Sequence, residues 1–185
     1  MIETVRHGGV GVLPTDTIYG IVGSALYEKT VKKIYRLRKR DPKKPMIILI
    51  GSLDDVRKFG IAITPAVKKI LKKVWPGKVS VILSITKGSA VKKFRYLHRG
   101  TKSLAFRLPA SSNLNDFLKK TGPLVAPSAN VEGRPPAKTI KEAKHYFGDR
   151  VSFYIDVGRL TSKPSTLIKI ENGTVVILRK GAVKG

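Results

Sequence analysis

A chain of 185 residues is long enough to bury one core unaided, and the reading is a single domain over 1–185. It has no cysteine, which excludes disulfides, thiolate metal sites and cysteine nucleophiles, and no apolar run nears the ~20 residues of a membrane span. Thirty-seven Lys and Arg against twelve Asp and Glu leave a formal charge of +25, which points to a polyanionic partner: RNA, DNA or phosphorylated small molecules.

The first residues lack the basic-then-apolar shape of a signal peptide, so a cytoplasmic protein is the expectation. Val10, Val12 and Leu13 have strand character, and Pro14 stops the ladder for want of an N–H. Thr15, Asp16 and Thr17 follow at once. Short polar groups at the end of a buried strand suit a ligand site, and they equally suit a turn capped by its own side chains. Ile21–Ala25 reads as a short strand and turn. A helix is expected over Glu28–Lys39, with Val31, Ile34, Tyr35 and Arg38 on one face. Pro42 and Pro45 end it before a buried strand, Met46–Ile50.

Ser52 caps a short helix to Phe59, with Asp54 and Asp55 in its first turn. Thr64-Pro65 opens another, whose core face is Val67, Ile70, Leu71 and Val74, and Trp75-Pro76-Gly77 closes it. Strands are expected over Val79–Ile85, Leu104–Leu108 and Leu124–Ala126, with a helix over Asn113–Lys120. Residues 86–102 form a long basic segment in which His98 is expected at the surface or in a loop. Ser128–Ala137 is a loop, and Thr139 with Glu142 makes a capping box for a helix to Phe147. Three strands around Phe153, Leu167 and Val176 close the chain, with Asn172-Gly173 as a hairpin signal. The pattern indicates an α/β fold built on a mixed sheet.

No catalytic triad, Walker A loop or Rossmann fingerprint is present, and three scattered His with few acids build no metal site. What remains is a site of hydroxyls, amides and guanidinium groups, suited to phosphate and carboxylate.

Four stretches in order carry a resemblance: Leu13–Gly20, Ile34–Arg40 with Pro45, Ala105–Pro109, and Ala126–Asn130. The first resembles the PTDTxYG signature of the YrdC-like family, the threonylcarbamoyl-AMP synthases, and the likeness runs from about residue 8 to Gly181. It implies a single-domain twisted mixed sheet with helices on its faces, curled around a concave ligand site. It also implies a nucleotidyltransferase that joins L-threonine, bicarbonate and ATP into threonylcarbamoyl-AMP, for modification of tRNA, with release of pyrophosphate. Mg²⁺ is expected to arrive with ATP rather than in a protein cage.

Carried over residue by residue, Arg38 and Arg40 stand at the family's Lys-x-Arg element as the catalytic cations, with Lys44 beside them. Threonine falls to Thr15 or Thr17, undecided between them, and to Arg107, Ser128 and Ser165. The nucleotide falls to Arg40, Lys44, Ser103, Asn130 and Arg179. Departures from the family pattern are Arg38 for Lys, Asp41 for Pro, Glu132 for Ser, and Leu49 where archaeal-type members often carry His. A non-catalytic module binding tRNA or double-stranded RNA is the competing reading, and product formation from labelled ATP separates the two.

Overall fold

The computed structural model describes residues 1–171 and 173–183. Among the described residues, nine strands form one mixed sheet: β1 Gly11–Pro14, β2 Tyr19–Ser24, β3 Ile47–Leu49, β4 Val79–Ser84, β5 Ser103–Arg107, β6 Leu124–Val125, β7 Phe153–Tyr154, β8 Thr166–Glu171 and β9 Thr174–Arg179. Their order is β7-β1-β2-β6-β3-β5-β4-β8-β9, with β1–β7, β3–β5 and β4–β8 parallel and the other neighbours antiparallel. The helices are α1 Ile2–Arg6, α2 Glu28–Arg38, α3 Pro65–Val74, α4 Gly88–Lys93, α5 Arg95–His98, α6 Ser112–Thr121 and α7 Ile140–Phe147, with a 3₁₀ helix over Leu53–Phe59. None of the described helices is long and apolar enough to cross a membrane.

Alternation along the strands sorts two cores. Val12, Ile21, Ile48, Val81, Leu104, Phe106 and Val125 face the larger one, while Leu13, Val22, Leu49 and Leu124 face a smaller one with α1 and α6. The smaller core covers only the β1–β2–β6–β3 part of its face. Beyond it, the same face of β5 and β4 carries Ser103, Ala105 and Ile82, with Ala105 in register with Ile47 of β3. That uncovered, small-residue strip becomes the floor of a cavity. Leu49 is fully buried in the smaller core, so its position faces packing rather than the cavity.

Helix α2 ends where the site begins. Gly23 lets it approach β2, since a Cβ there would lie 2.4 Å from Thr30 Cγ2. Its apolar stripe Val31–Ile34–Tyr35 buries the last residue, Arg38, as well, and Lys39 leaves the helix in the left-handed region at φ 48°. Arg38 therefore sits on a packed helix end, on the face it shares with Val31, Ile34 and Tyr35.

Several expected elements need correction. The basic segment 86–102 folds into α4 and α5, because Ala90, Phe94 and Leu97 recur at helical spacing between the lysines and are buried. Phe94 packs on Phe59 with ring centroids 5.0 Å apart, and Phe59 on Phe106 at 5.3 Å. His98 is buried, not at the surface. Its Nε2 lies 2.8 Å from the Val91 carbonyl and must carry the proton, leaving Nδ1 to accept from the amides of Gly100 and Lys102. Strand β2 begins at Tyr19 rather than Ile21, which makes β1–β2 a hairpin. Thr139 caps α7 by accepting from Glu142 N, but Glu142 reaches back to Lys138 N, one residue beyond the box. β8 and β9 pair as a hairpin from Leu167–Arg179 to Glu171–Thr174, and Asn172 lies outside the described residues.

Candidate active site

The turn between β1 and β2 is both a self-capped turn and a wall of the cavity. Thr15 Oγ1 donates to the Ile18 carbonyl at 2.7 Å and accepts from the amides of Thr17 and Ile18. With its only proton used, Thr15 Oγ1 must accept from Thr17 Oγ1, 3.0 Å away. Thr17 Oγ1 in turn accepts from Arg107 Nη1 at 2.9 Å. Thr15 Oγ1 is thus filled by the turn itself, while Thr17 Oγ1 keeps one lone pair and no free proton, which suits an ammonium or amine donor better than a carboxylate.

Arg107, last residue of β5, is 4% exposed, not the surface residue that a strand end implies. Its Nη2 lies 3.3 Å from Asp16 Oδ1, an ion pair with both side chains almost wholly buried, and Asp16 Oδ2 accepts from Ala110 N. Burial first, and the nearby Arg179 after it, push the Arg107 pKa down, while Asp16 opposes them. Asp16 was legible as a short polar group at a ligand site or as a turn cap, not as a counter-charge. Its role as counter-charge needs β1 and β5 brought together, which no local spacing reveals.

Arg38 is 3% exposed and works as a fork. Nε donates to the Asn130 carbonyl at 3.0 Å, and Nη2 donates to Ser128 Oγ at 3.2 Å and Asn130 Oδ1 at 3.1 Å. Burial, then repulsion from Arg40, draws its pKa down to about 10, so it stays charged at neutral pH. A lysine has no planar fork and cannot serve these three acceptors together. The loop it grips is also laid against β2, with Ile21 N bonded to the Pro127 carbonyl and Ala129 N to that of Tyr19. Asn130 spends its amide protons on the carbonyls of Val131 and Arg134, so it lies behind the cavity as structural support.

On the opposite wall, Ser165 Oγ is 2.8 Å from the fully buried Ser80 Oγ, and Arg179 Nη2 donates to the Ser165 carbonyl at 2.9 Å. Gly181 permits this closure, because a Cβ there would lie 2.2 Å from Pro164 O and 2.5 Å from Ser165 C. Ser80 is a further positioning residue, hidden in the sequence as one small polar position in a buried strand. Burial, then Arg40, lowers the Arg179 pKa as well.

One cavity of about 340 Å³ gathers these groups. Thr15, Thr17, Arg38, Arg40, Ser103, Arg107, Ser128, Ser165 and Arg179 all line it. Lys44 and Asn130 do not. Four guanidinium groups surround the space and, among the described residues, no carboxylate lines it, so the cavity carries an excess of positive charge that an anion would offset. Arg40 is held by the carbonyls of Lys44 (3.1 Å) and Pro45 (2.9 Å), and its side chain is 19% exposed, so it is not the free loop residue that its sequence position suggests.

A mixed sheet with one bare strip faced by arginines and serines defines an α/β protein with a cationic hollow on one face of its sheet. Residues 3–181 match the family model Sua5_yciO_yrdC, described as Telomere recombination. The chain belongs to this family. It is 30% identical to a putative threonylcarbamoyl-AMP synthase of Methanocaldococcus jannaschii, over 98% of this chain and 84% of that one. Pyrococcus abyssi Sua5, solved in complex with L-threonine, superposes with a TM-score of 0.85 at 27% identity over 97% of this chain. This chain covers 52% of that protein, about half its length. Escherichia coli YciO gives a TM-score of 0.85 at 25% identity, covering 99% of this chain and 88% of YciO.

Proposed function

We propose that the protein is a threonylcarbamoyl-AMP synthase acting on L-threonine, bicarbonate and ATP. The observation that carries this reading is the one cavity that gathers four guanidinium groups and hydroxyls on its walls, with no lining carboxylate among the described residues. In this reading Arg107 takes the threonine carboxylate, held in place by Asp16 and Thr17. Thr17 Oγ1, oriented by Thr15, receives an amine proton on its remaining lone pair and turns the nitrogen lone pair toward carbon. The amine attacks the bicarbonate carbon and water leaves. An oxygen of the resulting carbamate attacks the α-phosphorus of ATP, the bond to the β-phosphate oxygen breaks, and pyrophosphate departs. No protein nucleophile is needed; placement and charge neutralisation by Arg38, Arg40 and Arg179 suffice.

Ser103, Ser128 and Ser165 complete the substrate contacts in this assignment. Lys44 and Asn130 move out of the nucleotide set, Asn130 becoming the support of Arg38. The residues present do not build a cage for Mg²⁺: Asp16 is committed to Arg107, Glu132 to Lys44 and Asp41, and the described residues hold no cluster of three metal-ligand side chains. Mg²⁺ therefore enters on the triphosphate.

Calorimetry tests the assignment. Threonine binding should weaken ~10-fold or more in Arg107→Met, where a charge-assisted pair is lost, and ATP binding should change little. Equal threonine affinity in the variant would refute it. RNA is the second partner proposed, on the charge of +25. Arg99 bonds to the Pro42 carbonyl and joins the basic segments 36–44 and 86–102. Binding to a short duplex should fall with log salt at a slope near −0.9 per phosphate contact, with little sequence preference. Absence of binding at low salt would contradict it.

A further inference from the structure

Glu132 is one of the departures from the family pattern, it does not line the cavity, and no part of the proposed reaction uses it. It nonetheless grips the turn that carries Arg40. Its backbone N–H donates to the Arg38 carbonyl at 2.8 Å, anchoring it to the end of α2. From there its carboxylate reaches across the turn: Oε2 accepts from Asp41 N at 2.5 Å, and Oε1 accepts from Lys44 Nζ at 3.0 Å and lies 3.9 Å from Arg40 Nη1. Proline has no N–H, so this clasp requires the non-proline residue that stands at 41. The two departures at 41 and 132 are one interaction.

The other contacts of the turn 39–45 do not replace it. Lys43 N bonds locally to Asp41 Oδ1, while Tyr35 OH and Arg99 hold carbonyls of the turn. Among the described residues, Glu132 is the one side chain from outside the turn that accepts an N–H from it. The Asp41 amide, then Lys44, hold the Glu132 carboxyl below the ordinary glutamate value of 4.5, so the clasp is ionised at any working pH.

We infer that Glu132 is a positioning residue and internal counter-anion for the phosphate end of the site: it shapes the turn that presents Arg40, and, 3.9 Å from Arg40 Nη1, it offsets the Arg40 charge until a phosphate takes it. The second half of this statement rests on the nucleotide reading above; the first half does not. The two halves make opposite demands on the side chain. Shaping the turn needs an acceptor of glutamate length. Competition with phosphate needs the negative charge.

Glu132→Gln keeps the acceptor and removes the charge, whereas Glu132→Ala removes both. With no ligand present, hydrogen exchange at the Asp41 amide should speed up about tenfold or more in Glu132→Ala and change less than about threefold in Glu132→Gln, amides of β3 serving as the folded control. By calorimetry with ATP, Glu132→Gln should bind about three- to tenfold tighter than wild type, the scale of one partly screened charge at 3–4 Å. Glu132→Ala should bind at least about threefold more weakly than Glu132→Gln, because ATP must then order the turn. An Asp41 amide equally protected in Glu132→Ala would overturn the clasp, and Glu132→Gln binding no tighter than wild type would overturn the counter-anion. A wild-type protein that does not bind ATP would sink the nucleotide reading and the counter-anion with it, while amide exchange still decides the clasp.

Discussion

Asp16→Ala tests the electrostatics of the cavity at its most buried point. The side chains of Asp16 and Arg107 are 6% and 5% exposed and 3.3 Å apart, so deleting the carboxylate strands a buried guanidinium. Breaking one side of a buried pair costs about 3–5 kcal/mol. Here Thr17 Oγ1 keeps one bond to Arg107, and the cavity beside it admits water, so the low end applies, about 3 kcal/mol. For a domain of this length, that corresponds to a melting temperature lower by roughly 6–12 °C, readable by scanning calorimetry. Two further measurements separate charge from packing. Asp16→Ala with Arg107→Met should recover most of the loss, since removing both partners leaves no orphan charge. Millimolar threonine should raise the melting temperature of Asp16→Ala more than that of wild type, because its carboxylate takes the vacated counter-charge. A fall below about 3 °C, with no recovery in the double variant, would show the pair to be solvated and refute the argument.

Three other outcomes follow from the geometry. Arg38→Lys should lose at least two of three charge-assisted bonds to the Ser128–Asn130 loop, lowering stability by about 2–4 kcal/mol in urea unfolding and product formation about tenfold or more; a silent change would mean that only the charge matters. Gly181→Ala places a Cβ against the Pro164–Ser165 backbone, and should lower the urea midpoint by the equivalent of about 1–3 kcal/mol while weakening ATP binding; an unchanged midpoint would contradict the close approach. The Asp41 amide proton shift should stay constant as pH falls to 4.5 and move only below, since the depressed Glu132 pKa keeps the carboxylate ionised above that value and protonation weakens the acceptor; a titration step in that shift above 4.5 would reverse the sign.

What could be read from the sequence was whatever is local. The stripe of α2, the Ser52 and Thr64 caps and the turn signals all depend on neighbours within a few residues, and the structure has them in place. The segment 86–102 was opaque because its lysines, rather than its three spaced apolar residues, dominate the composition. Arg38 could be read as a cation but not as a buried fork, since its acceptors lie 90 and 92 residues away in the chain. Asp16 with Arg107, and Ser80 with Ser165, escaped for the same reason: each partner is unremarkable until strand order makes them neighbours. Asp41 and Glu132 looked like two separate losses and form one bond.

The most direct test of the central claim uses carbon-13-labelled bicarbonate with threonine, ATP and Mg²⁺, followed by mass spectrometry of the products. The account predicts threonylcarbamoyl-AMP bearing the label, together with pyrophosphate, only when all three substrates are present, and its loss in Arg107→Met. AMP or ADP formed without labelled product, or no turnover by a protein that binds both threonine and ATP, would contradict the synthase assignment.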